Sequence, residues 1–438
     1  MALKVGMVSL GCSKNRVDSE VLLGILRDNG YEIVPDPAEA DIVFVNTCGF
    51  IEPAKEESID AIFEMAEYKK TGKLKKLFVT GCLSQRYADA LYDEMPEVDG
   101  FMGVSDYART LEMLKKAEEG EKPVFTSDGE RFLDAQRVLT TPPYTAYVKI
   151  SDGCDNKCTY CAIPLIRGAY RSRPYEDIMA ECRQLAEDGV KELIFIAQDT
   201  SRYGNDFEDK TLLLPKLLKE ASEIEGVEWV RVLYCYPDTV TDELLETIRD
   251  NPKICPYLDL PLQHIDDHLL KRMNRRGSSE HIKNILKKVR SYGIFVRSTM
   301  IVGFPGETDA QFESLLDFIK EFRFDRLGAF TYSSEEGTPA AEFDDQIDED
   351  IKQMRLDQLM LLQQEISFES NKARVGKTVR VLIEDFEDGY YIGRSPLEAP
   401  DIDGVIKVDT DLELNAGDFV TVRITDCDAY DLMGVIEK

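Results

Sequence analysis

Three cysteines, Cys154, Cys158 and Cys161, are spaced C-x3-C-x2-C. Three thiolates this close together can each hold one iron of an iron–sulfur cube. No fourth cysteine lies nearby, so one iron would keep an open position where a small molecule can bind and receive an electron. Gly153, Asp155 and Asn156 favour a loop around the cysteines. A strand-like run, Tyr144 to Ile150, leads into it. The plainer readings are a zinc site or three core cysteines. Zinc would need a fourth ligand, and the three histidines, His264, His268 and His281, lie more than 100 residues further on.

A second trio is dispersed: Cys12, Cys48 and Cys82, at intervals of 36 and 34 residues, each beside a glycine. Each closes a strand-like run: Lys4–Leu10, Asp41–Asn46 and Lys76–Thr80. Helical periodicity follows at 18–29, 56–68 and 85–92. Strands alternating with helices imply a Rossmann-like parallel sheet, whose carboxyl strand ends share one edge where ligands bind. The three cysteines are therefore expected to converge, with glycine letting the backbone approach a cluster closely. Three unrelated buried cysteines are the competing reading.

The cysteine loop, followed by Tyr160 and Ile163-Pro164, resembles the signature of radical S-adenosylmethionine (SAM) enzymes. Leu10-Gly11-Cys12-Ser13-Lys14-Asn15-Arg16-Val17-Asp18-Ser19-Glu20, with Asn46-Thr47-Cys48 and Thr80-Gly81-Cys82, resembles the N-terminal domain of radical SAM methylthiotransferases. The resemblance implies a 4Fe-4S cluster on Cys154, Cys158 and Cys161 that binds SAM and cleaves it reductively to a 5′-deoxyadenosyl radical. It implies an auxiliary 4Fe-4S cluster on Cys12, Cys48 and Cys82 that holds the sulfur, methylated by a second SAM. The substrate carbon radical then captures the methylthio group. The electron donor is expected to be of flavodoxin or ferredoxin type.

The elements that must position these groups form three segments. Residues 1–138 are expected to carry the auxiliary site, residues 144–370 the radical SAM core, and residues 376–438 a small terminal barrel. A polar stretch over 127–143 reads as a linker. In the central segment, strands are expected at 146–150, 192–197, 229–234, 257–261, 295–302 and 326–332. Six such units suit the open six-stranded parallel barrel of radical SAM enzymes. Functional residues are expected on loops at the carboxyl ends of its strands, by analogy with full barrels. On these grounds Tyr160, Arg171, Gln198, Asp199, His264, Gly303, Pro305, Gly306 and Glu307 are candidate SAM-site residues. The Gly303–Glu307 stretch resembles a SAM-contacting turn of the family. A guanidinium within 167–174 suits a carboxylate. Lys271, Arg272, Arg275 and Arg276 read as a solvated helix end. An amphipathic helix over 349–372 is expected to pack on the barrel. Five short strands after Gly376 suggest an OB-like antiparallel barrel, which resembles the TRAM module.

The chain has 438 residues, ten of them cysteines, and 53 basic against 83 acidic residues, a net charge of −30. Such a surface repels nucleic acid and attracts a basic partner. The last 63 residues, 376–438, carry 15 acidic and 6 basic residues, a net of −9, where a nucleic-acid-binding barrel should be basic. No apolar run is long enough to span a membrane. The cysteine grouping reads as metal ligation in a reducing cytoplasm. Methylthiotransferases divide by substrate: one branch modifies a tRNA adenosine, the other an aspartate of small-subunit ribosomal protein 12, free or within the subunit. Lys14–Glu20, Gln198-Asp199-Thr200 and the acidic barrel favour the protein-modifying branch. The alternatives are the tRNA-modifying relative and a non-catalytic iron–sulfur or zinc scaffold.

Overall fold

The computed structural model describes residues 2–129, 131–133 and 136–437. The first unit is a six-stranded, wholly parallel sheet in the order β2-β1-β3-β4-β5-β6. Its strands are β1 (Lys4–Ser9), β2 (Glu32–Ile33), β3 (Ile42–Thr47), β4 (Lys76–Gly81), β5 (Gly100–Met102) and β6 (Val124–Phe125). Central β3 is buried along its whole length, as a strand covered on both faces must be. Helices α1 (Ser13–Asp28), α2 (Glu52–Thr71) and α3 (Cys82–Glu94) each follow a cysteine-bearing strand end. α1 begins five residues before the apolar periodicity at 18–29, with a polar first turn. That start is set by tertiary contacts: Asn15 Nδ2 donates to the Leu10 carbonyl at 3.1 Å and the Thr47 carbonyl at 2.9 Å.

The second unit contains β7 (Thr145–Lys149), β10 (Glu192–Ile196), β11 (Trp229–Val232), β12 (Tyr257–Asp259), β13 (Phe295–Val302) and β14 (Arg326–Thr331). A short antiparallel pair, β8 (Ser151–Asp152) and β9 (Arg171–Ser172), brackets the C-x3-C-x2-C loop. The six long strands run in chain order as two parallel trios, β7-β10-β11 and β12-β13-β14. A bridge from Val230 to Ile254 joins β11 to the approach of β12. β14 does not pair with β7, so the barrel is open. Alternation sends Ala146, Val148, Leu193, Phe195, Val230 and Val232 outward into the helix-covered core. Tyr147, Ile194, Ile196, Trp229, Leu233 and Tyr257 face the lumen.

The third unit is a closed barrel, β15-β16-β17-β19-β18. Its strands are β15 (Thr378–Glu387), β16 (Tyr390–Arg394), β17 (Ile406–Asp409), β18 (Phe419–Cys427) and β19 (Leu432–Ile436). Its pairings are antiparallel except β17 with β19, which is parallel. This barrel plugs the amino-terminal mouth of the larger one. Arg394 donates to Glu192 at 2.7 Å, the Tyr257 hydroxyl to Asp403 at 2.7 Å, and the Phe419 ring meets Trp229 edge-on at 4.8 Å. The carboxyl mouth is thereby left for chemistry. The expected linker over 127–143 falls partly on Glu130, Asp134 and Ala135, outside the described residues. Its described part is tied down: Arg131 donates to the Ala169 carbonyl at 2.7 Å, and Arg137 to Glu20 at 3.1 Å and the Tyr147 carbonyl at 2.8 Å.

Candidate iron–sulfur sites at the carboxyl strand edges

The dispersed trio converges. Cys12 is the N-cap of α1, Cys48 follows β3, and Cys82 opens α3 directly after β4. Gly11 and Gly81 take φ of 85° and 94°, a turn that costs glycine little. A Cβ on Gly11 would stand 2.9 Å from Cys48 Cβ and 3.2 Å from its Sγ, so only glycine lets this backbone pass. Cys82 Sγ lies 3.4 Å from Asn15 Oδ1. Burial pushes the Cys82 thiol up to about 12 and raises Cys48. Burial also raises Cys12, but the Lys14 and Arg167 charges outweigh it and leave that thiol lowered. Binding iron as thiolates would therefore release protons. Among the described residues no three His, Cys, Asp or Glu side chains close on a single metal-ion position. A cube asks for less, because each thiolate takes its own iron and the trio need only ring a common space.

The local trio sits on a loop fastened at several points. Cys154 N donates to the Gly168 carbonyl at 3.1 Å and Thr159 N to the Met273 carbonyl at 3.0 Å. Asn274 Nδ2 holds the Lys157 carbonyl at 2.8 Å. Burial pushes the Cys154 thiol up to about 11 and raises Cys161. Arg275, expected in a solvated helix end, is instead folded in. It lies 4.1 Å over the Tyr236 ring, donates to the Pro261 carbonyl, and its Nη1 stands 4.0 Å from Cys158 Sγ.

One buried network spans both cysteine sets. Arg167, 2 % exposed, follows the loop on α5 (Ile163–Arg167). It donates to Asp152 at 3.0 Å, Asp18 at 2.8 Å and Asn15 Oδ1 at 2.7 Å, and stands 3.9 Å from Cys82 Sγ. Lys149 completes the network by pairing with Asp18 and, at 3.4 Å, with Asp152. Asp152 immediately precedes Gly153-Cys154, and Asn15 and Asp18 lie on the helix that Cys12 opens. Arg167 thus fastens the two cysteine loops to one another. Sequence reasoning chose Arg171 from this stretch, but the Arg171 side chain is exposed on β9.

The remaining candidates divide into lumen residues and supports. Gln198 continues the lumen-facing register of Ile194 and Ile196, and both its amide atoms are buried without a partner, as a guest-binding group would be. Tyr160 packs beside Phe304, Leu269 and Met273. Asp199 is turned onto the loop itself, accepting from Asn156 at 3.0 Å and Ser201 at 2.8 Å, and burial raises its pKa. His264 is fully buried. Its Nδ1 accepts from Asp266 N at 3.0 Å, and burial lowers its pKa to about 4, keeping it neutral. Gly303 and Gly306 adopt φ of 70° and 77° around buried Pro305. Glu307 braces that turn from beneath: it accepts from Gly303 N at 2.9 Å and from Arg355 at 3.1 Å, with its pKa pushed up to about 7 by burial. Asp199, His264 and Glu307 therefore hold the loops that face the lumen.

The comparisons with known proteins cover all three units. The Radical SAM superfamily matches residues 148–319, the Uncharacterized protein family UPF0004 residues 4–103, and the TRAM domain residues 375–436. Curated relatives bearing the name ribosomal protein uS12 methylthiotransferase RimO align almost end to end. The one from Thermoanaerobacter sp. (strain X514) is 51% identical over 98% of this chain and 99% of its own. The one from Desulfitobacterium hafniense (strain Y51) is 49% identical over 99% and 98%. The one from Clostridioides difficile (strain 630) is 49% identical over the same shares. A solved radical SAM methyltransferase, TsrM from Kitasatospora setae with cobalamin and a [4Fe-4S] cluster bound, shares the fold. Its TM-score is 0.57 at 17% identity, over 78% of this chain and 74% of that one. At half identity over the whole chain, with all three units matched, the chain belongs to the ribosomal protein uS12 methylthiotransferase family of radical SAM enzymes.

Proposed function

We infer that this protein attaches a methylthio group to the β-carbon of an aspartate of ribosomal protein uS12. The observation that supports this most is the buried Arg167 network, which fixes two cysteine trios at the carboxyl mouth of one open barrel. In this reading Cys154, Cys158 and Cys161 hold the SAM-binding cluster, and Cys12, Cys48 and Cys82 the auxiliary one. When bound, these groups supply the radical that opens a C–H bond and the sulfur with its methyl group. The chain's own residues orient and enclose. Gln198 and the Gly303–Glu307 turn face or frame the SAM site, Arg275 keeps a positive charge beside Cys158, and the terminal barrel closes the lumen from below.

The working units are residues 1–138, 144–370 and 376–438. The substrate is uS12, alone or within the small subunit, rather than nucleic acid, in keeping with the −9 charge of residues 376–438. A flavodoxin- or ferredoxin-type protein supplies electrons. The work of this chain is placed in the cytoplasm, where thiols stay reduced; among the described residues no helix is long and apolar enough to cross a membrane and no cysteine is in a disulfide. The test is direct: reconstituted protein, SAM and reductant are incubated with uS12, small subunits or tRNA, and products are read by mass spectrometry. A methylthio group on the uS12 aspartate is expected. The same group on tRNA, with uS12 unchanged, overturns the assignment.

A further inference from the structure

Lys14 is an unusual cation. It lies in the first turn of α1, two residues after Cys12, and is only 7 % exposed. Its ammonium stands 3.1 Å from the centroid of the Tyr234 ring. Among the described residues it meets no carboxylate within ion-pair distance, whereas four other cations of the first two units are paired. Lys149 and Arg167 share Asp18 and Asp152, Arg231 pairs with Glu192, and Arg297 with Asp259. The Lys14 charge also acts on the Cys12 thiol, and a ring face compensates part of the cost of burying it.

The ring beneath it is held in place by force. Val232 faces outward and Leu233 inward, so alternation would send Tyr234 outward. Instead Tyr234 takes a φ of 63° and turns back to the lumen beside Val17, Tyr147 and Leu233. A left-handed conformation is uncommon for so bulky a residue and costs energy. It is held by Asp259, which accepts from Tyr234 N at 3.0 Å, and by Thr200 N, which donates to the Tyr234 carbonyl at 3.0 Å. Further groups beside this ammonium favour an anion. The N-terminus of α1 has no acid in its first turn. Ser13 Oγ, next to Lys14 in that turn, is buried without a partner.

We propose that Lys14, seated over Tyr234, is the counter-ion for the side-chain carboxylate of the aspartate to be modified. This rests on the substrate reading above and adds the residue that selects for it. In aspartate the β-carbon carries the carboxylate directly, so anchoring the carboxylate fixes the reacting carbon one bond away. A neutral nucleobase brings no charge to pair with Lys14. The preference for a protein acid over an adenosine then has a cause in one side chain.

The test is a binding cycle on the reconstituted enzyme, with uS12 carrying either the target aspartate or asparagine there. Wild type is expected to bind the aspartate form about tenfold more tightly, the scale of one charge-assisted contact. Lys14→Met, with full iron content, is expected to bind both forms alike. Lys14→Arg is expected to keep the preference. On turnover, Lys14→Met is expected to raise KM for uS12 more than it lowers kcat, and Lys14→Arg to keep both near wild type. A wild type that modifies uS12 but binds the two forms equally overturns the proposal without needing any variant. So does an aspartate preference that survives in Lys14→Met. A wild type that neither binds nor modifies uS12 overturns the substrate reading itself, and this proposal with it.

Discussion

Removing Arg167 should separate the making of a radical from its use. The buried network holds two positive groups, Arg167 and Lys149, against two negative ones, Asp18 and Asp152. In Arg167→Met two carboxylates are left with one ammonium, and one buried charge is uncompensated. Breaking a buried pair in this way costs about 3–5 kcal/mol. The cost falls on the join between the first two units, so it should appear in the earliest step of urea unfolding, since a chain of several units need not unfold in one. With a slope of about 2 kcal/mol per molar urea, that step should move down by about 2 M. Arg167→Met combined with Asp18→Asn restores charge balance and should recover much of the loss, a coupling that a double-mutant cycle reads out. All six cysteines remain, so iron content and 5′-deoxyadenosine formation should persist. Methylthiolated uS12 per 5′-deoxyadenosine should fall, because only Lys149 then ties one loop to the other. An Arg167→Met protein within about 0.5 kcal/mol of wild type, which is the noise of an ordinary surface change, would refute the reasoning. So would a product ratio that does not move, or strictly additive effects of the two substitutions.

Replacing Cys154, Cys158 and Cys161 together by Ala should abolish SAM cleavage and leave about half the iron, as the proposed assignment of one cluster to each trio requires. The Cys12, Cys48 and Cys82 triple Ala protein should still make 5′-deoxyadenosine but no methylthio product; normal product from it would remove any sulfur-delivery role for that site. At the other end of the barrel, burial raises the Glu192 carboxyl but the Arg394 and Arg231 guanidiniums outweigh it, leaving its pKa at about 2. Against an ordinary value near 4.5, that shift is worth about 3 kcal/mol, present above about pH 4.5 and lost as pH falls through about 2. An acid titration of Arg394→Met should show this step reduced, with Arg231 still holding Glu192, and an unchanged titration would discount the Arg394 pair. Changing Asp385, Glu387 and Asp388 to Lys should slow association with uS12 more than dissociation, with the difference shrinking as salt screens it; association rates that are equal at low salt would count against charge steering.

What the sequence determined by itself was the chemistry carried by short spacings. C-x3-C-x2-C puts three thiolates on one loop whatever surrounds it. Cys12, Cys48 and Cys82 were legible as a set because each ends a strand one strand–helix unit apart, and parallel strands must place those ends on one edge. The six strand–helix units and the five terminal strands were legible as apolar runs, which report burial directly, while the open barrel and the terminal module were what the family resemblance implied. What only the tertiary structure decided was where each polar side chain points. Arg167 ends α5 and Arg171 opens β9 four residues later, yet one is buried between the cysteine sets and the other is exposed. Arg275 reads as a surface charge but lies against Cys158. Glu384 and Asp403 count toward the acidity of the terminal barrel, yet Glu384 is spent on Arg394 and Asp403 on Tyr257. Asp199, His264 and Glu307 stand at strand ends as a ligand site requires, but Asn156 and Arg355, more than 40 residues away, turn Asp199 and Glu307 to bracing, and the Asp266 amide holds His264. A charged side chain is buried only where a partner offsets its desolvation. That partner is commonly a hundred or more residues away, so composition and spacing carry no record of it.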